Sequence, residues 1–184
     1  MGRLAVAALA LVLAAPAAMA DEFEETLEGA LAAYRAGDIG IARQDLDYAL
    51  RLLGDINAAE LADLLPEPLP GWAREIEPGP EGAALAFFGG GTMVSASYLR
   101  GADEFTLSLM ADSPMVSGMA AMFSGMAVGA GRAVRIQRQQ FAVSEGEIQG
   151  VVGGRVLVQA EGSAAVADMQ AHIEAMDLGA LADW

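Results

Sequence analysis

The apolar residues of this chain change period partway along it. Up to residue 65 they recur at the three- and four-residue spacing of a helix, and from residue 92 they alternate with period two, as on half-buried strands. Between these regimes lie Pro66-Glu67-Pro68-Leu69-Pro70-Gly71-Trp72 and then Glu77-Pro78-Gly79-Pro80. Each proline fixes φ and removes a backbone donor, so this stretch excludes regular helix and disfavours a central strand. The pattern predicts an α+β chain: a helical hairpin over 21–65, a proline-rich connector over 66–82 with Trp72 tucked against one neighbour, and an antiparallel sheet domain over 83–184.

In the helical part, Phe23, Leu27, Ala30, Leu31 and Tyr34 form one periodic set, and Ala42, Leu46, Ala49, Leu50 and Leu53 form another. Gly37 suits the left-handed residue that closes the first helix, and Asp38 suits the N-cap of the second. Asn57 followed by Glu60 predicts a short third helix ending before Pro66.

In the sheet part, Val94, Ala96 and Tyr98 share one face of a strand over 92–100. Phe105, Leu107 and Leu109 do the same over 104–110, after a turn at Gly101-Ala102-Asp103. Ser113 and Pro114 are placed to cap and open a helix. Strands follow at 133–138, 141–143, 148–152 and 155–160, with Gly153-Gly154 as a two-residue hairpin turn. Val166, Met169, Ile173 and Met176 then mark a last helix capped by Ser163. Two amphipathic helices are thus available to cover one face of the sheet.

Several segments carry resemblances. Ala30, Gly37, Ala42, Leu46 and Ala49 stand where a tetratricopeptide unit has its small and packing residues, and the hairpin resembles one such unit. There is no second copy, and a solenoid groove needs about three. The order strand, strand, helix, several strands, helix is similar to PsbP-like α/β/α sandwiches of exported proteins. Residues 65–72, Gly89-Gly90-Gly91-Thr92 and Ala111-Asp112-Ser113-Pro114 resemble an uncharacterised family of exported bacterial proteins with no known activity, which implies export and fold.

Residues 1–20 themselves read as a cleavable secretory signal: Met1-Gly2-Arg3, an apolar run from Leu4 to Ala15, and Ala18-Met19-Ala20 ahead of Asp21. The run is short of the roughly 20 residues that cross a bilayer, so no membrane span is expected in the mature chain. The protein is expected to be periplasmic or secreted. Ten basic residues, all arginine, stand against 25 acidic ones, for a net charge of −15. That sign excludes a nucleic-acid footprint and favours a soluble monomer through self-repulsion. With no cysteine, the fold does not rest on disulfides.

The chemical inventory is thin. There is neither cysteine nor lysine to act as nucleophile, and the one histidine, His172, has no Gly-x-Ser-x-Gly elbow to serve. It is expected at a surface or boundary. One histidine without cysteine cannot supply the usual zinc ligands, and no cofactor is expected. Gly89-Gly90-Gly91 lacks the ending of a phosphate loop and reads as a turn needing positive φ. The acidic pairs Asp45/Asp47 and Glu145/Glu147 read as solvated surface, the first because residues two apart on a helix do not face each other. Met115, Met119, Met122 and Met126 line one helical face and form a candidate interaction surface. Three readings of that stripe stand: core packing against the sheet, which the spacing favours, an adaptable partner surface, and a soft Cu(I) site. The functional expectation is a non-enzymatic interaction or structural protein, with another envelope protein as partner. The alternatives are a hydrolase whose site only the fold assembles and a small-ligand or copper carrier.

Overall fold

The computed structural model describes residues 15–77, 91–125 and 132–184. They divide into two compact units, one up to Ala59 and one from Glu60 onward.

The first unit is the hairpin of α1 (Ala15–Ala36) and α2 (Ile39–Ala62). Gly37 turns the chain at φ 84°, where a side chain would be disfavoured. The Asp38 carboxylate accepts the Ile41 N–H at 3.3 Å, which caps α2 as its position predicts. Ala30, Ala42 and Ala49 are buried along the seam. Tyr48 O–H donates to Glu22 at 2.6 Å and ties the antiparallel helices near their open end; that bond to a carboxylate raises the Tyr48 pKa. The separate third helix expected from Asn57 is absent. Asn57 lies inside α2, which continues to Ala62 because Ala58, Ala59 and Glu60 are good helix formers.

The second unit is built on a seven-stranded antiparallel sheet in the order β1-β2-β3-β7-β6-β5-β4. Its strands are β1 (Ala73–Glu77), β2 (Thr92–Arg100), β3 (Asp103–Ala111), β4 (Arg132–Ile136), β5 (Gln139–Ser144), β6 (Glu147–Val152) and β7 (Val156–Gly162). Cross-strand pairs Tyr98–Phe105, Leu107–Ala160, Ile148–Ala160 and Phe141–Gly150 put the large side chains on one face, and all of these residues except Gly150 are 0% exposed apolar core. The other face is polar over most of its width, with Ser95, Ser97, Thr106, Ser108 and Gln159 in register.

Helices lie on both faces, rather than two on one as the sequence suggests. Helix α3 (Pro114–Gly125) sits on the polar side over its one apolar end, where Met110, Leu157 and Val116 are buried and Met93, Met119 and Val151 pack around them. Helix α4 (Val166–Ala175) turns Met169, His172 and Ile173 inward, and α5 (Leu178–Asp183) does so with Leu178 and Leu181. Ser113 caps α3 as expected, accepting the Met115 N–H at 3.3 Å. Ser163 does not cap α4: the N-cap is Ala165, and Ser163 instead accepts the Glu104 N–H at 3.3 Å.

The expected connector also departs from its sequence reading. Residues 73–77 form the edge strand β1, a position open to a proline-flanked segment because its outer backbone groups need no partner. Ahead of it, Tyr98 O–H donates to the Pro66 carbonyl at 2.6 Å, and Arg74 donates to the carbonyls of Leu65 and Pro66 at 3.2 and 3.0 Å. Residues 65–77 are therefore fastened into the sheet unit. The remainder of the 66–82 stretch lies outside the described residues.

Candidate functional site

Among the described His, Asp, Glu and Arg side chains His172 alone is fully withdrawn from solvent, at 0% exposure, so the surface or boundary placement expected from sequence is corrected. Its ring packs edge-on against Trp72, Tyr98 and Phe105 at centroid distances of 5.2, 4.8 and 5.0 Å. The Leu69 N–H donates to Nε2 at 3.3 Å. That nitrogen is consequently the acceptor, and Nδ1 carries the proton it gives to the Asp168 carbonyl at 2.8 Å. Desolvation in this apolar nest lowers the His172 pKa below its ordinary value, against the opposing pull of Asp168. The neutral ring is a rivet between α4, the proline-rich segment and the sheet. With both nitrogens committed to backbone groups, it has no lone pair to activate a hydroxyl.

The same corner holds Arg100, whose guanidinium makes a two-point pair with Asp168 at 3.1 and 2.8 Å and stacks 4.3 Å over the Trp72 ring. Tyr98 beneath it has its phenol pKa pushed up to about 12, chiefly by burial. These groups clamp α4 and Trp72 onto β2.

The methionine stripe divides. Met119 is half-buried in the cluster with Met110 and Leu157, whereas Met115 is 41% exposed. The inward residue of that first turn is Val116, at 1% exposure, one position further round the helix. The side chain of Met122, and all of Met126, lie outside the described residues. Met119→Ala should therefore cost about 2 kcal/mol or more, the lower end for truncating a packed methionine, and Met115→Ala less than about 0.5; urea denaturation of the two variants checks this contrast.

Of the acidic pairs, Asp47 and Glu145 are exposed and Asp45 and Glu147 partly buried. Glu147 is used in bonds from Gln159 and Ser144 at 3.0 and 3.3 Å. Gly91 has φ 103°, in keeping with a turn; Gly89 and Gly90 lie outside the described residues. A groove of about 410 Å³ opens between the ends of β4 and β5 and the first turns of α4, with Arg132, Ser144, Glu145 and Gln170 as its polar lining. Among the described residues every buried side-chain nitrogen or oxygen already has a partner, and no three His, Asp or Glu side chains gather as metal ligands. No described helix is long and apolar enough to cross a membrane.

One surface stands out. In α1 the buried seam runs through Ala30, and Leu27, Leu31 and Tyr34 lie about 40 to 100° further round. In the antiparallel α2 the seam runs through Ala42 and Ala49, and Leu46, Leu50 and Leu53 lie about 20 to 80° round in the same sense. Reversing the helix direction brings both sets onto the same side of the hairpin. They are 37, 48, 65, 49, 67 and 38% exposed in that order. The opposite side carries Glu22, Glu25, Gln44, Arg51 and the Tyr48–Glu22 bond, with Ile41 as its one strongly exposed large aliphatic residue among those described. Isolated exposed leucines are ordinary; six large apolar side chains on one flat face are not. The periodicities that reveal this face were visible in sequence, but the alanine seam takes up only the edge of each apolar stripe.

No protein-family model, curated protein or solved structure matches this chain.

Proposed function

We propose that this chain is an exported, non-enzymatic protein of the periplasm or the extracellular medium that works by docking through its helical hairpin. The observation that carries this reading is the apolar face of Leu27, Leu31, Tyr34, Leu46, Leu50 and Leu53, because amphipathic helices keep such a stripe only to bury it. The signal pattern of residues 1–20 supports export. The engagement of both His172 nitrogens argues against a hydrolase, and the packing of Met119 against Met110, Val116 and Leu157 favours core packing over a copper site for that residue.

The test is site-specific photo-crosslinking in the native host. A crosslinker at Leu31 or Leu50 should give discrete protein adducts outside the cytoplasm, and one at Gln44, on the opposite side, should give none. Equal labelling from the two sides, or none at all, would remove the docking role. N-terminal sequencing of the same material should begin at Asp21, and a start at Met1 would sink export.

A further inference from the structure

Resting on that docking role, we infer that the occupant of the hairpin face is a second copy of this chain, the two faces pairing about a two-fold axis into a four-helix layer. Area is the first argument. A fully exposed large apolar side chain presents on the order of 200 Å², and the six face residues average about half exposure. Each copy then offers roughly 600 Å², and a pair removes about 1,200 Å² from water, the lower bound for a specific interface. No additional surface need be recruited to reach it.

Shape is the second. Two antiparallel helices make a flat apolar face whose natural complement is another pair of helices, and four-helix layers are a recurrent solution to this geometry. An isologous contact covers the face in both copies at once and leaves nothing to propagate. Charge is the third. The rim carries both signs, with Glu24, Glu28 and Asp47 against Arg35 and Arg43, all exposed. A strongly basic ligand would call for a uniformly acidic rim and an anionic lipid surface for a basic one; a mixed rim suits self-pairing. The net charge of −15, which by itself favours a monomer, acts through solvent and is largely screened at physiological salt beyond about 8 Å.

The experiment uses the exported chain purified from outside the cytoplasm. Sedimentation equilibrium should show a concentration-dependent dimer with a dissociation constant in the micromolar range, as expected for an interface at the low end of size. Leu31→Glu with Leu50→Glu should weaken it by about a hundredfold or more, and Gln44→Glu should leave it unchanged. Both leucines lie outside the seam, so helix content by circular dichroism should be preserved. Because the chain has no cysteine, Leu46→Cys gives an independent arm: a long flexible bis-maleimide should yield a covalent dimer, which needs only that the two faces lie together and not that Leu46 sits on the axis, and Gln44→Cys should give far less. A chain that stays monomeric at about 100 μM, or a dimer indifferent to the Leu31 and Leu50 changes, overturns self-pairing. If Leu50 then still crosslinks to a different protein in the host, the docking role survives and only the identity of the occupant is wrong. If it crosslinks to nothing, both fall.

Discussion

Truncation of His172 to alanine should lower the unfolding free energy by about 3 to 5 kcal/mol, the range for emptying an aromatic-sized site in a close-packed interior. The ring is touched on its faces and edges by Trp72, Tyr98 and Phe105, so the space cannot close without moving β2, β3 or the proline-rich segment. Part of the loss comes from the Leu69 N–H, which gives up its acceptor; an orphaned buried donor costs about 1 to 3 kcal/mol. The same residue controls a pH effect. Burial holds its pKa below the ordinary value, so the unfolded chain takes up a proton at a higher pH than the folded one does. The stability is therefore fully present above about pH 6.5, the unfolded value. It is lost as the pH falls toward the folded value, by up to about 1.4 kcal/mol per unit. His172 is the only histidine, so urea denaturation at about pH 7.5 and 5.5, compared between the native chain and His172→Phe, isolates this contribution. The native chain should lose stability relative to the variant on going to the lower pH. Parallel behaviour of the two proteins would mean that the ring accepts its proton without leaving the fold.

His172 also shows where a sequence reading runs out. The strands 92–100 and 103–111 were legible because their alternation is local: each residue's face follows from its neighbours two positions away. Gly37 and Asp38 were legible for the same reason, since a cap acts within one turn. The nest around His172 joins positions 69, 72, 98, 105 and 172, and no spacing along the chain encodes that meeting. Its one available hint was a tryptophan embedded among prolines, which marks a segment held against something. Gln137 was invisible for a related reason. It occupies a strained φ of 44° in the β4–β5 turn. Its amide nitrogen donates to the carbonyls of Glu174 and Met176 at 2.9 and 2.7 Å, and its oxygen accepts the Leu178 N–H at 3.3 Å. One side chain thereby closes the end of α4 and opens α5, and these bonds offset the backbone strain.

The methionines failed more instructively. Their spacing correctly assigns a helix, but two adjacent stripes share Met119, and the sheet selected the one through Val116. Periodicity fixes a helix's faces relative to one another; which face turns inward depends on the partner surface. In the hairpin the same ambiguity hid the apolar face, because the alanines flanking each leucine stripe form the actual seam.

Gly150 should tolerate no side chain, and Gly150→Ala should cost about 2 to 3 kcal/mol, the upper part of the range for overfilling a packed site. The glycine lies opposite Phe141 in the β5–β6 ladder, and the ring of Phe141, itself 0% exposed, folds across the strand into the space that a Cβ would need. A Cβ at 150 would stand 2.7 Å from Phe141 Cδ1 and 2.6 Å from the Gln140 carbonyl oxygen. The ring could retreat by a rotamer change, but the backbone oxygen cannot without breaking the ladder. Gly118 in α3 is the internal control: nothing lies within 4 Å of its Cβ position, so Gly118→Ala should stabilise by about 0.5 to 1 kcal/mol through helix propensity alone. The coupling between positions 141 and 150 has a definite sign. Phe141→Ala alone should cost about 3 to 5 kcal/mol, and the double variant less than the two single losses together, because removing the ring abolishes one of the two clashes. Strict additivity in thermal or urea denaturation would show that the carbonyl of Gln140, and not the aromatic ring, is what demands glycine at this position.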